Sequence, residues 1–217
     1  MKRHLVLLAS LLLAAVSVSA IARAEDQSFK EGQDFITVKP AVKVPGVKQP
    51  YVIEYLWLGC PHCQAMNPII EHYEHEHPKV KFVRRPAIGK DRWVFDAHVF
   101  YALQETGNGE LIYKIMEFYH NLAGSERRLP DKEDLKPFLT QHHIDADKFY
   151  KAMDSDATLE NLSAAYQDQE ALGIKGVPTF LVGGQYIMTL ASITQAKDPQ
   201  ARFEALMNYL VEKTQHN

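Results

Sequence analysis

The sequence has 217 residues, with 24 Lys and Arg against 27 Asp and Glu for a formal net charge of −3, and 46% of it is hydrophobic. A chain of this size can bury a sizeable core as one domain, or as one domain carrying a large insertion. Its mild acidity argues against nucleic acid or an anionic membrane surface as a partner.

Met1-Lys2-Arg3-His4 is a short basic start, and Leu5 to Val18 is a nearly unbroken run of Leu, Val, Ala and Ser. Ala22-Arg23-Ala24 then places small residues at the two positions that a signal peptidase inspects. This three-part pattern predicts a secretory signal peptide over residues 1–24, removed after Ala24. The apolar run is shorter than the roughly 20 residues that a membrane-spanning helix needs. Loss of Lys2, Arg3 and Arg23 makes the exported chain more acidic. No later stretch is long and apolar enough to span a bilayer, so the exported chain reads as soluble.

Phe35-Ile36-Thr37-Val38 is a candidate first strand, followed by a loop punctuated by Pro40, Pro45, Gly46 and Pro50. Tyr51 to Leu58 is β-branched, aromatic and apolar without clean alternation. It predicts a central strand buried on both faces. Gly59 turns the chain, and Cys60-Pro61-His62-Cys63 opens a helix expected to run to about His77, with Pro68 inside it. Val80 to Arg84 reads as a second central strand. From Asp91 to about Asp168 the periodicity is helical, with one stripe at Val94, Ala97, His98, Tyr101 and Ala102 and another at Leu111, Ile115, Phe118 and Leu122. A helix from Leu159 to Leu172 stops at Gly173. A hairpin follows, Thr179 to Val182 and Tyr186 to Met188 around Gly183-Gly184. A helix from Pro199 to about Lys213 closes the chain. Because β material resumes after the helical block, the block reads as an insertion in an α/β unit.

The chemistry rests on the two cysteines. A bridge between Cys60 and Cys63 closes only a tiny loop, which removes little entropy from the unfolded chain. A disulfide that stabilises so little is better explained as one that is made and broken. Cys60 stands at a helix N-terminus, where unpaired N–H groups and the helix dipole favour a thiolate. Pro61 stiffens the turn, and His62 can donate a hydrogen bond or carry charge beside the Cys60 sulfur. Cys63, one turn deeper, is suited to resolve a mixed disulfide. Glu54 is the only charge in its strand, six residues before Cys60. It is either a buried acid beneath the site, with a raised pKa and able to exchange protons with Cys63, or an edge residue facing water. Pro178, at the head of an apolar strand, is either a cis bond or a strand-start proline, and ordinary frequencies favour trans. Zinc competes for the Cys-x-x-Cys pair, but no second pair has finger spacing. The His72, His75 and His77 cluster reads as a solvated helix end, and His98 as a satisfied core histidine.

Taken together, the CPHC motif after an apolar strand, the helical block, and Gly176-Val177-Pro178-Thr179 before a glycine-turn hairpin resemble the DsbA family of bacterial periplasmic thiol:disulfide interchange proteins. The likeness extends over about residues 35–214. It implies a thioredoxin fold with an inserted helical domain: residues 25–88 and 158–217 as the thioredoxin-like domain, and residues 89–157 as the insertion. It further implies that Pro178 is a cis-proline facing the disulfide, that the Val177 backbone pairs with an extended substrate peptide, and that Glu54 is the family's buried acid. The sequence departs from the family pattern in two regions. Arg84 and Arg85 stand where a lysine is frequent, and Asn67 where an acidic residue is common.

The resulting expectation is a periplasmic oxidase that passes its Cys60–Cys63 disulfide to reduced, unfolded exported proteins. It is reoxidised by a membrane partner of the DsbB type, works as a monomer, and calls for no prosthetic group or metal. The alternatives are an isomerase or reductase on the same fold, a peptide-binding chaperone, and a zinc module.

Overall fold

The computed structural model of the chain describes residues 29–43 and 46–215, so the expected signal peptide, residues 1–24, lies outside the described residues. A two-residue strand β1 (Ile36–Thr37) precedes β2 (Tyr51–Leu56), helix α1 (Pro61–Glu76) and β3 (Lys81–Pro86). The helical block comprises α2 (Asp91–Glu105), a 3-10 turn at Gly109–Leu111, α3 (Ile112–Glu126), α4 (Leu135–Gln141) and α5 (Ala146–Met153). Helix α6 (Asp156–Leu172) leads back to the hairpin β4 (Thr179–Val182) and β5 (Tyr186–Thr189), and the chain ends in α7 (Leu190–Thr194) and α8 (Pro199–Gln215).

The strands form one mixed sheet in the order β1-β5-β4-β2-β3, with β2 and β3 parallel and the other pairs antiparallel. Every residue of β2 is buried, as its unalternated sequence predicts. Val52 points into the cluster built with α1 and α8, where Met66, Ile70, Tyr73, Phe203 and Leu206 meet Phe180 and Met188. Tyr51, Ile53 and Tyr55 point the other way, against Leu181, Ile187 and Ile174. Leu56 and Leu58 continue the strand into a third cluster, shared by both cysteines and the helical block. The block therefore caps the C-terminal end of β2, where open α/β sheets place their sites.

Three sequence expectations change in detail. β3 is the edge of the sheet and not a second central strand. Its residues before Pro86 are exposed or half-buried, which suits its two arginines. Helix α2 buries Val99, Phe100 and Leu103 completely, outside the predicted stripe, because both α5 and α6 pack against it. In α3 the buried face is Ile112, Ile115, Met116 and Tyr119, displaced from the predicted stripe. α6 begins at Asp156, capped by the Ser155 hydroxyl, which accepts from Thr158 N at 3.1 Å. Its Gln169 amide accepts from Ile88 N at 2.8 Å and donates to Ile88 O at 2.7 Å. That double bond ties the chain entering the block to the helix leaving it. Among the described residues no helix is long and apolar enough to cross a membrane.

The hairpin turn depends on its glycines. Gly184 has φ +72°, and a Cβ there would come within 1.9 Å of the Val42 carbonyl oxygen, which itself accepts the Tyr51 hydroxyl. Gly124 in α3 has open space around it. Replacing Gly184 with Ala is expected to cost about 1–3 kcal/mol, whereas Gly124→Ala should be neutral or stabilising by up to about 1 kcal/mol. Urea unfolding of the two variants checks this, and equal stabilities would contradict the role given to the turn.

Candidate active site

The turn after β2 brings Cys60 to the end of α1. Cys60 N donates to Trp57 O at 2.9 Å, closing a tight turn. A Cβ at Gly59 would sit 2.6 Å from the Trp57 indole, so the turn has no room for one. Cys60 is the N-cap of α1 in an extended conformation, and its Sγ accepts the Cys63 N–H at 3.2 Å. Pro61 occupies the first turn, where a missing N–H costs nothing. From the far end of the chain, Val177 O lies 3.6 Å from Cys60 Sγ, and the Val177–Pro178 peptide is cis. Both cysteines are free thiols and both are buried, Cys60 to 4% exposure and Cys63 to none. The His62 side chain is exposed; what it gives the sulfur in this reduced state is its backbone N–H.

The two sulfurs are driven apart electrostatically. The Cys63 thiol lowers the Cys60 pKa to about 7, and the Cys63 and His62 N–H groups help, outweighing burial and the nearby Glu54 charge. Burial holds Cys63 far above the ordinary thiol range, and its hydrogen bond to Cys60 adds to that. One sulfur is thus prepared to be a thiolate and the other to keep its proton.

Glu54 is fully buried on the strand that delivers Cys60. It lies in register with Arg84 of β3. The Tyr113 hydroxyl of α3 donates to Glu54 Oε2 at 2.9 Å, and Arg84 Nε lies 3.5 Å from the same oxygen. Arg84 Nη2 donates to the Tyr113 hydroxyl at 3.0 Å and also pairs with Glu74 of α1. Glu54 Oε1 has no hydrogen-bond partner among the described residues. Burial raises the Glu54 pKa to about 7, held back by Arg84 and Tyr113.

A model of the DSBA-like thioredoxin domain matches residues 94–201. The thiol:disulfide interchange protein DsbA of Pseudomonas aeruginosa is 30% identical over 213 residues, covering 97% of this chain and 96% of the relative. The DsbA of Pseudomonas syringae is 28% identical over 187 residues, 86% of each chain. A crystal structure of Pseudomonas aeruginosa DsbA superposes with a TM-score of 0.74 at 27% identity, covering 87% of this chain and 95% of the other. The chain belongs to the DsbA family. It is a thiol–disulfide oxidoreductase.

In this DsbA-family member the residues around the cysteines include several that the sequence reading passed over. Tyr113 and Glu74 complete the surroundings of Glu54, and of the two β3 arginines it is Arg84 that reaches this acid, while Arg85 pairs with Asp168. Trp57 stacks on Trp93 at 4.9 Å and donates to Asp96 Oδ2 at 2.6 Å. Asp96 is almost fully buried and is gripped by Arg92 through Nε at 2.9 Å and Nη2 at 2.5 Å, so the turn before the motif is bolted to α2. An acid in helical register with the apolar Val99, Phe100 and Leu103 was the available signal for Asp96, whereas nothing local marks Tyr113 or Glu74. Asn67 is buried, its amide reaching Gln64 Oε1 at 3.1 Å and Met116 Sδ at 3.9 Å. His72 lies 3.5 Å from Glu204, His75 pairs with Glu76, and His77 stacks on Tyr73. His98 bonds the Met153 carbonyl. Among the described residues no group of three or more His, Cys, Asp or Glu is placed to hold a metal ion.

The raised Glu54 pKa has a stability consequence. Between about pH 4.5 and 7 the folded chain keeps a proton on Glu54 that the unfolded chain has released. The stability owed to that proton is complete below pH 4.5 and is lost as the pH rises to about 7, a change of about 3 kcal/mol at most. In Glu54→Gln the fall across this window should be absent. Parallel pH–stability curves for the two proteins, measured by denaturant unfolding, would contradict the assignment.

Proposed function

We propose that the chain is a periplasmic dithiol oxidase that transfers its Cys60–Cys63 disulfide to reduced, unfolded exported proteins. The observation that carries this reading is the Cys60 sulfur at the N-terminus of α1, accepting the Cys63 N–H. A substrate thiolate attacks Cys60 Sγ, the bond to Cys63 breaks, and Cys63 leaves with the electron pair and takes up a proton. Glu54, whose charge acts on both sulfurs, supplies that proton. A second substrate thiol then attacks the mixed disulfide, and Cys60 departs as a stabilised thiolate. The better that thiolate is stabilised, the more strongly the disulfide oxidises.

In this reading Val177 and Pro178 present the substrate. The Val177 carbonyl lies against Cys60, and a backbone group so placed can hold an extended peptide by main-chain bonds while its cysteine reacts. Pro61 and His62 shape the turn around the reacting sulfur. A membrane partner of the DsbB type restores the disulfide, and the protein acts as a monomer. The proposed division sets residues 25–88 and 158–217 as the exchanging domain and residues 89–157 as a helical cap. It is supported by β strands on both sides of one continuous helical run.

Two substitutions test the roles of the sulfurs. Cys60→Ser should abolish oxidation of a reduced model substrate. Cys63→Ser should lose turnover but, with oxidised glutathione added to supply the oxidising equivalents, accumulate a mixed disulfide between Cys60 and the substrate, visible on non-reducing gels. Retained oxidation by Cys60→Ser, or trapping through Cys63 instead, would overturn the assignment.

A further inference from the structure

Val177 does more than lie against the reacting sulfur. With Ile174 and Gly176 it walls a cavity of about 530 Å³ between the start of α2 and the end of α6. Ile88, Trp93 and Tyr166 add to its apolar surface, although Tyr166 is 49% exposed. The walls are fixed in place. Gln169, whose amide lines the cavity, spends both ends on the Ile88 backbone. A Cβ on Gly89 would meet the Trp93 ring at 3.1 Å, so that indole is pressed against the backbone. The cavity is preformed and its amide is already satisfied, which suits an apolar side chain. Its rim is cationic. Lys90 and Lys175 are exposed and neither enters an ion pair among the described residues. Among the described residues that line the cavity, these two lysines stand against one acid, Glu170.

Two contacts place this cavity beside the exchange site. Val177 O lies 3.6 Å from Cys60 Sγ. Trp93 stacks on Trp57 at 4.9 Å, and the Trp57 carbonyl accepts Cys60 N. A peptide whose cysteine has bonded to Cys60 therefore lies at the mouth of the cavity. An extended chain advances about 3.3 Å per residue, so residues about two to four along from that cysteine pass over it.

We propose that this cavity is a specificity subsite of the exchange reaction. It takes an aromatic or large aliphatic side chain of the reduced substrate, about two to four residues from the reacting cysteine and next to an acidic residue. Folded proteins bury such side chains and unfolded chains expose them, so the subsite favours substrates that have not yet folded. Burying the side chain holds the cysteine at Cys60 and speeds the reaction of a dilute substrate. The lysines add an attraction for acidic segments that salt screens. The bonds made and broken are those of the exchange already described.

This inference rests on the oxidase reading, and the test keeps the two apart. The oxidised protein is mixed with reduced two-cysteine peptides, and loss of peptide thiols gives a second-order rate constant. The peptides carry Trp-Asp about three residues to either side of one cysteine, and controls carry Ser for the Trp or Lys for the Asp. In one of the two placements the Trp-Asp peptide should react about tenfold faster than its Ser control. It should react about two- to threefold faster than its Lys control, at low salt only. Tyr166→Ser should remove most of the Trp preference, and Lys175→Glu should reverse the Asp preference. Equal rates for all the peptides overturn the subsite alone, as does a Trp preference that Tyr166→Ser leaves undiminished. If no peptide is oxidised at all, the oxidase reading falls as well.

Discussion

An α-helix offers its first N–H groups to whatever stands at its N-cap, and here a sulfur stands there. Cys60 Sγ accepts the Cys63 N–H in place of the side-chain oxygen that usually caps a helix. The preference of that position for negative charge makes the sulfur a good leaving group and separates it in character from Cys63, one turn away and fully buried. Much of the remaining structure serves to keep that sulfur in place. The buried strand β2 fixes where α1 begins, the Trp57–Asp96–Arg92 cluster anchors the turn to the helical block, and the loop ending in β4 brings Val177 up to the sulfur.

A second constraint runs beneath the first. Glu54 sits in the sheet with one oxygen held by Tyr113 and approached by Arg84, and the other without a partner among the described residues. A buried carboxylate is tolerated only when it is paired or protonated, and this one lies between those conditions. Arg84 can serve it because β3 is an edge strand. Its guanidinium keeps one side toward Glu54 and the other toward Glu74, near the surface. A central strand would have buried the arginine entirely, at a much greater desolvation cost.

Much of this was legible in the sequence. The β2–CPHC–α1 order, the glycine hairpin and the helical interruption all follow from local pattern and turn chemistry, and the structure keeps them. What escaped was set by tertiary context. The polarity of β3 was not weighed against a central position. The stripe chosen for α2 supposed one buried face, where the helix is enclosed on several. Tyr113 and Asp96 lie in the helical block, about 30 to 50 residues from the motif, and are brought to it only by the way the block caps β2. A resemblance, and not local pattern, pointed to the cis geometry at Pro178, which the structure contains.

The central claim is that the fold stabilises the reduced, thiolate form of Cys60 and so makes the disulfide an energetic donor. Equilibrating the two-cysteine protein with glutathione buffers of graded composition tests this most directly. The account predicts that the pair stays reduced until the buffer is strongly oxidising, because a stabilised leaving thiolate favours giving the disulfide away. A pair that remains oxidised in strongly reducing buffer would contradict it, and would point to a protein that keeps its disulfide instead of donating it.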